Sequence, residues 1–153
     1  MKKRSLFSYP KPEHSPGYLL WKVTTAWQRL LKKVFEPYNI SHSQFVIMAV
    51  TTWLIEHKEQ ATQVAIASLS GLDKMTISQA LKKLIALKLI TRKECRSDTR
   101  AKVVTLTPRG KDVVKNLIPL VEKTDEVFFD ALSKEEYKSL ITIFNILNQE
   151  ETL

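Results

Sequence analysis

The 153-residue sequence contains a single cysteine and only three glycines. One cysteine cannot form an internal disulfide, so the chain is not a disulfide-stabilised domain and suits a reducing compartment. Scarce glycine and long apolar segments favour helices over a β-sandwich with its many tight turns. Because 44% of the residues are hydrophobic and 26% are charged, we predict one globular domain over residues 1–153.

The sequence also lacks a long apolar run. The longest stretch without Asp, Glu, Lys or Arg, residues 37–55, contains several polar residues, and its apolar part begins only at Phe45. That part is too short to cross a bilayer and indicates a buried helix. The basic N-terminus has no apolar run after it, and prolines interrupt it, which argues against a secretory signal. We expect a cytoplasmic protein without a membrane partner.

Negative charge is scarce in one segment. The formal net charge is +8, and residues 73–115 contain twelve basic and four acidic residues, whereas the remainder contains twelve of each. The whole excess therefore lies within this one window. A localised basic patch indicates a polyanionic partner, either nucleic acid or an acidic membrane surface. A solvated face without a partner explains the charge almost equally well, so the architecture of the window has to decide.

Helix start signals recur along the chain. Apolar residues at three- and four-residue spacing predict an amphipathic first helix that ends at Pro37. A Ser-x-x-Gln capping box predicts a second helix to about His57, and Gly71 should end the third. The last helix should turn Leu140, Ile141, Phe144 and Leu147 inward. The predicted N-terminal caps are Ser41, Thr62, Asp73, Thr107 and Ser133.

Two short segments rich in β-branched residues, 89–94 and 102–106, flank a polar loop and predict a β-hairpin. Helix, short turn, helix and hairpin form the winged helix-turn-helix plan. The predicted fold class is therefore mainly α with a small β-hairpin wing, with further helices at both ends of the chain. Residues 41–106 would form the DNA-binding region, and the helix after the turn could enter a DNA major groove.

The fourth helix has a polar face opposite its apolar one. Its amide and hydroxyls could bond base edges, with Gln79 able to pair with adenine, and its lysines suit phosphates. Any amphipathic helix has a polar outer face, so this pattern alone leaves both interpretations open. The candidate DNA-binding residues of this helix are Lys74, Met75, Thr76, Ser78, Gln79, Lys82 and Lys83.

The loop between the strands favours DNA. An arginine at the tip of a β-ribbon can enter a minor groove, and we predict this role for Arg100. Asp98 would accept hydrogen bonds that orient the guanidinium. Arg96 and Lys102 are further DNA-binding candidates. Cys95 has basic neighbours that could favour its thiolate, so it is either redox-active or a small, partly buried residue.

The segment Asp98-Thr99-Arg100 followed by "AKVVTLTPRG" resembles the Asp-x-Arg wing signature, with its trailing LT-x-x-G, of the multiple-antibiotic-resistance-regulator (MarR) family. "DKMTISQALKKLIALKLITRK" is similar to the recognition helix and first wing strand of that family, and "EPYNISHSQFVIM" to the junction of its first two helices. The resemblance covers about residues 19–147. It implies a homodimeric bacterial DNA-binding regulator, commonly a repressor, with dimerisation helices over 16–36 and 108–150 and a pseudo-palindromic operator.

The resemblance further implies an effector site between the dimerisation and DNA-binding parts, where family members commonly bind small phenolic or aromatic acids. Tyr18, Trp21 and Trp53 are candidate pocket residues, although aromatic residues at helical spacing are also typical of a core. No cofactor is expected. We expect no metal either, because the three histidines show no ligand spacing.

An enzyme is disfavoured because the sequence has no Ser/His/Asp arrangement, no glycine-rich phosphate loop and no paired carboxylates in an apolar setting. The remaining alternative to a DNA-binding regulator is a winged-helix module that binds protein or RNA, since a fold does not fix a function.

Overall fold

The computed structural model describes residues 5–94 and 101–149. Across these ranges the chain forms six α-helices and one antiparallel hairpin, with short 3₁₀ turns on either side of the first helix. The elements are α1 (Pro16–Phe35), α2 (His42–Glu56), α3 (Gln63–Ser70), α4 (Lys74–Ala86), β1 (Ile90–Glu94), β2 (Lys102–Leu106), α5 (Pro108–Phe129) and α6 (Lys134–Gln149). The predicted fold class, mainly α with a β-hairpin wing, is confirmed.

The predicted helix caps form. Ser41 and Gln44 make a reciprocal capping box, in which the Gln44 side chain accepts from the Ser41 backbone N–H at 2.9 Å. Ser133 and Glu136 make a second one at the start of α6. These bonds satisfy N–H groups that a helix start otherwise leaves without partners. The other three predicted caps also form: Thr62 caps α3, Asp73 caps α4 and Thr107 caps α5.

The hydrophobic core lies between the C-terminal half of α1, α2, α4 and the first half of α5. Burial of one large aliphatic or aromatic side chain contributes about 1.5–3 kcal/mol. This core holds α4 against α2 and so fixes which face of α4 points outward. Its largest fully buried side chains are Phe35, Leu31, Ile47, Met48, Leu54, Ile66, Ile77, Leu81, Leu84, Ile90, Leu117 and Val104.

The base of the wing is fastened to the start of α3. The backbone N–H of Val104 donates to the Ala61 carbonyl at 2.8 Å, and Thr62 pairs with Val103 in an isolated bridge. The Arg92 guanidinium also donates to the side chain of Gln63 at 3.3 Å. The hairpin and the helix-turn-helix are therefore joined by both backbone and side-chain bonds.

The expectation for α6 is wrong within a single chain. Of the four residues expected to face inward, only Leu140 is half-buried, while Leu147 is 52% exposed. No described residue of α6 is buried. The periodicity of α6 correctly indicates an apolar stripe, but the described part of its own chain leaves that stripe uncovered. In the described ranges, no helix is both long and apolar enough to cross a membrane.

The start of α5 packs closely against the start of β1 at Gly110. The Thr107 hydroxyl donates to the Lys88 carbonyl at 2.7 Å and accepts from the Gly110 N–H at 3.0 Å. The Thr107 N–H donates to the Leu89 carbonyl at 3.0 Å. A Cβ placed on Gly110 would collide with that same carbonyl oxygen. The LT-x-x-G segment therefore builds a corner that needs a residue without a side chain.

We expect Gly110→Ala to lower the free energy of unfolding by about 1–3 kcal/mol, because two backbone segments would have to separate. Gly17→Ala is the control, since open space surrounds Gly17 in α1, and alanine there should be neutral or stabilising by up to about 1 kcal/mol. Urea unfolding at one fixed protein concentration measures both variants. An unchanged urea midpoint for Gly110→Ala would contradict the assignment of this corner.

Candidate nucleic-acid interface

Helix α4 presents two distinct faces. Ile77, Ala80, Leu81 and Leu84 are buried, as the sequence predicts. On the opposite face Met75 is 71% exposed, although it is large and apolar. An exposed apolar group beside polar ones suits a surface that contacts the methyl groups and edges of bases. Of the candidate residues on α4, Thr76 and Ser78 are half-buried, and the exposed ones are Lys74, Met75, Gln79, Lys82 and Lys83.

The N-terminus of α4 is occupied by its own cap. The Asp73 carboxylate accepts from the Thr76 hydroxyl at 2.6 Å and from the Thr76 N–H at 2.8 Å. Both bonds hold the pKa of Asp73 below its usual value, and the bond from the Thr76 hydroxyl has the larger effect. A capped, negatively charged helix start is a poor phosphate site. Thr76 has its hydroxyl proton engaged, so it can meet DNA only through its methyl group or as an acceptor.

The loop end of the two wing strands carries an ion pair. The Lys102 ammonium lies 3.0 Å from the Glu94 carboxylate, directly across the two strands. Because an exposed pair of this kind contributes only about 0–1 kcal/mol, Lys102 can exchange Glu94 for a phosphate at little cost. Arg92 and Lys93 are also exposed on β1 and were missed as candidates. Their position on a wing strand, beside the loop predicted to contact DNA, could have identified them as further DNA-binding candidates.

Four predicted residues, Cys95, Arg96, Asp98 and Arg100, lie outside the described residues. Insertion of Arg100 into a minor groove, its orientation by Asp98, the contact by Arg96 and a redox role for Cys95 therefore stay predictions.

The candidate pocket residues do not converge on one cavity. Tyr18 and Trp21 stack on each other along α1 with their ring centroids 6.3 Å apart. Trp53 instead stacks on His57 at 3.9 Å and lines a groove between α2 and α5. The described residues include no group of three or more His, Cys, Asp or Glu arranged to hold a metal ion.

A polar contact joins α1 and α5 near the start of α2. The Trp27 indole N–H donates to the Asp125 carboxylate at 2.7 Å. The His42 ring packs against the Trp27 ring in a T-shaped arrangement, with centroids 5.1 Å apart, and stacks on Phe35 with centroids 5.5 Å apart. Burial lowers the pKa of His42, and the charge of Asp125 opposes this only in part. Neutral imidazole is therefore the form that this junction favours.

Comparison with known proteins finds a winged-helix family model and an HTH-type transcriptional regulator that match this chain. The model of the ArnR1-like winged-helix domain matches residues 36–123. The uncharacterized HTH-type transcriptional regulator YdcH of Bacillus subtilis (strain 168) is 36% identical over 125 residues, which span 82% of this chain and 85% of the relative.

Solved structures share the fold at lower identity. The Staphylococcus aureus MepR–DNA complex has a TM-score of 0.79 at 22% identity, over 93% of this chain and 100% of that one. A mutant Escherichia coli MarR complexed with operator DNA has 0.75 at 20%, over 86% and 91%. Bordetella bronchiseptica BpsR, whose DNA binding is regulated by 6-hydroxynicotinic acid, has 0.80 at 20%, over 89% and 94%.

The His42 junction predicts a pH dependence of stability. Because the pKa of folded His42 lies below its unfolded value of about 6.5, the unfolded chain binds the proton first as the pH falls. Stability should therefore decrease from about pH 7.5 to about pH 5, and His42→Phe should reduce that decrease.

Urea unfolding across this pH range measures the effect, with the exposed His14 changed to Gln as the control. His14→Gln should keep the pH slope of the native chain. Parallel pH profiles for the native chain and His42→Phe would show that the imidazole is not held neutral by its surroundings.

Proposed function

Because the chain belongs to the ArnR1-like winged-helix family of HTH-type transcriptional regulators and has the fold of MarR-family regulators, we propose that it binds a specific operator as a homodimer and represses transcription there. The observation that carries this proposal is the outer face of α4, where lysines, Gln79 and Met75 are exposed together while the opposite face is buried. A helix with such a face fits the DNA major groove.

Within this proposal each part of the interface has its own task. Gln79 and Met75 contact base edges, while Lys82 and Lys83 neutralise phosphates, which position the protein without carrying sequence information. The wing reaches the adjacent minor groove through Arg100, and Lys102 leaves Glu94 for the backbone. The excess of positive charge in residues 73–115 speeds association and makes it sensitive to salt.

The homodimer is supported by apolar side chains that the single chain leaves uncovered on its terminal helices. Large contiguous apolar patches on a protein surface commonly mark an interface. Two-fold symmetry would then place the two α4 helices about 10–10.5 base pairs apart on a pseudo-palindromic operator. The uncovered residues include Leu20, Trp21 and Val23 on α1, Val127 on α5, and Ile143, Ile146 and Leu147 on α6.

A small effector would act by changing the spacing of the two α4 helices. The likeness to BpsR supports a small-molecule ligand, and Trp53, in its groove between α2 and α5, is the best placed of the three predicted pocket residues. Tyr18 and Trp21 lie on the exposed part of α1, where a second subunit would meet them.

Operator binding is tested by selecting bound duplexes from a random DNA pool and measuring affinity against salt. A dimer with about 6–10 phosphate contacts should lose roughly 10³–10⁵-fold in affinity between about 50 and 200 mM salt. Arg100→Ala and Gln79→Ala should each weaken operator binding by about tenfold or more, because each removes a groove contact.

Lys134→Ala is the control for these variants, because Lys134 is an exposed cation at the start of α6, away from α4 and the wing. It should bind the operator like the native chain. If no duplex is enriched, or if affinity does not depend on salt, the chain is a protein- or RNA-binding module instead.

The dimer is tested on α6 with the double variant Ile143→Glu/Leu147→Glu. Two carboxylates on the apolar stripe should convert the dimer into a monomer, because charge at the core of an interface is costly. Asn145→Glu, on the polar side of the same helix, should stay dimeric. Light scattering coupled to size-exclusion chromatography measures the mass. A native chain that is monomeric at micromolar concentration would contradict the homodimer.

A further inference from the structure

We infer that the groove between α2 and α5 binds a hydrophobic organic cation, so that the effector class of this regulator is cationic. The inference deepens the proposed function and rests on it for the regulatory consequence, but not for binding itself. It also reverses the charge expected from the family resemblance, which implies an aromatic acid.

The groove has the size and apolar surface of a small-molecule site. Its volume is about 480 Å³, within the range of about 300–1,000 Å³ usual for such sites. The aromatic side chain of Phe45 is buried, and the aliphatic side chains that line the groove are half-buried against the core. The walls of the groove are therefore held in place by the core. The apolar lining comes from Phe45, Ala49, Val50 and Trp53 on α2 and from Ile118 and Val121 on α5.

The charge of the groove has one sign. Among the described residues that line it, the charged ones are Glu56 and Glu122, and both are exposed. Neither side chain forms an ion pair or hydrogen bond in the part of the chain that the structure describes. This negative rim occurs in a chain whose net charge is +8. The carboxylates are therefore free to face a bound cation.

An anionic ligand fits this groove poorly. No Lys, Arg or His is among the described lining residues, so a bound carboxylate would lose water without gaining a cationic partner. It would also lie near two carboxylates of its own sign. A cation with an apolar body avoids both costs, because its body is buried against the walls and its charge is attracted by the rim.

Trp53 adds a preference for cations. Its indole is 46% exposed and stacks on the His57 ring at 3.9 Å, which holds it in one orientation. His57 is itself held by a 2.7 Å hydrogen bond to the Trp53 carbonyl. The face of an indole attracts a cation more strongly than the other aromatic side chains do.

Occupation of the groove would affect DNA binding mechanically. Helix α2 packs against α4, whereas α5 belongs to the proposed dimerisation part. A ligand that enters between α2 and α5 would push these two helices apart and so shift the spacing of the two α4 helices. None of the side chains proposed to contact DNA is among the described residues that line the groove, and the ligand therefore need not compete with DNA.

The test uses two ions of nearly equal size and shape, tetraphenylphosphonium and tetraphenylborate, titrated calorimetrically into the full chain without DNA. The cation should bind, and Glu56→Gln/Glu122→Gln should weaken its binding by roughly tenfold or more. Glu13→Gln/Glu135→Gln removes the same charge from exposed sites outside the groove and should change it less than about twofold. Because the net charge of +8 favours the anion, a preference for the cation cannot come from net charge.

Absence of cation binding up to about 1 mM, or equal binding by the Glu56→Gln/Glu122→Gln variant, overturns the site. If a second copy of the chain covers the groove instead, the cation will not bind and this variant will change the dimer dissociation constant. Added cation should also release the selected operator from the native chain. A saturated groove with unchanged operator affinity overturns the effector assignment, whereas failure to bind any duplex overturns only the proposed function.

Discussion

The packing of α4 against α2 is the constraint on which the rest of the structure depends. Leu81 and Leu84 are fully buried, and removing a core leucine typically costs about 2–5 kcal/mol. Helix α4 therefore cannot rotate about its axis to present other residues. Its outer surface, with Gln79 and the lysines, is a consequence of this burial, and the wing base is fixed beside it by the bonds to Ala61 and Gln63.

Two contacts of different kinds join the helix-turn-helix to the terminal helices. At one end, Gly110 brings α5 so close to the Leu89 carbonyl that the two backbones are in contact. At the other, the half-buried His42 of α2 packs against Trp27 of α1, whose indole donates a hydrogen bond to Asp125 of α5. The first contact is rigid because it is steric, whereas the second depends on the charge of an imidazole. A relative motion of α5 and α2 is therefore expected to pivot near Gly110 and to be limited by the Trp27 junction.

Local features of this fold could be predicted from the sequence because their causes are local. A capping box such as that of Ser41 joins residues three apart, and the β-branched strands flank a polar loop. The contact between Trp27 and Asp125 spans 98 residues and has no local signal. The periodicity of α6 indicates an apolar stripe but not what covers it. At the site, the polar face of α4 and its Asp73 cap were predictable. The added hydrogen bond from the Thr76 hydroxyl to Asp73 was local and still missed, because Thr76 is also a DNA-binding candidate.

The negative charge of the groove could not be predicted, because Glu56 and Glu122 are far apart in the sequence and line the same groove only in the folded chain. Once they meet, the chain has two separate fields, positive on α4 and the wing and negative between α2 and α5. A phosphate backbone and an organic cation would therefore use different side chains, and neither would displace the other directly. Coupling between them has a direct route through the shared helix α2, which packs against α4 and also lines the groove. The coupling free energy is then limited by how differently the ligand binds the two spacings of α4, since a ligand that binds both equally shifts neither.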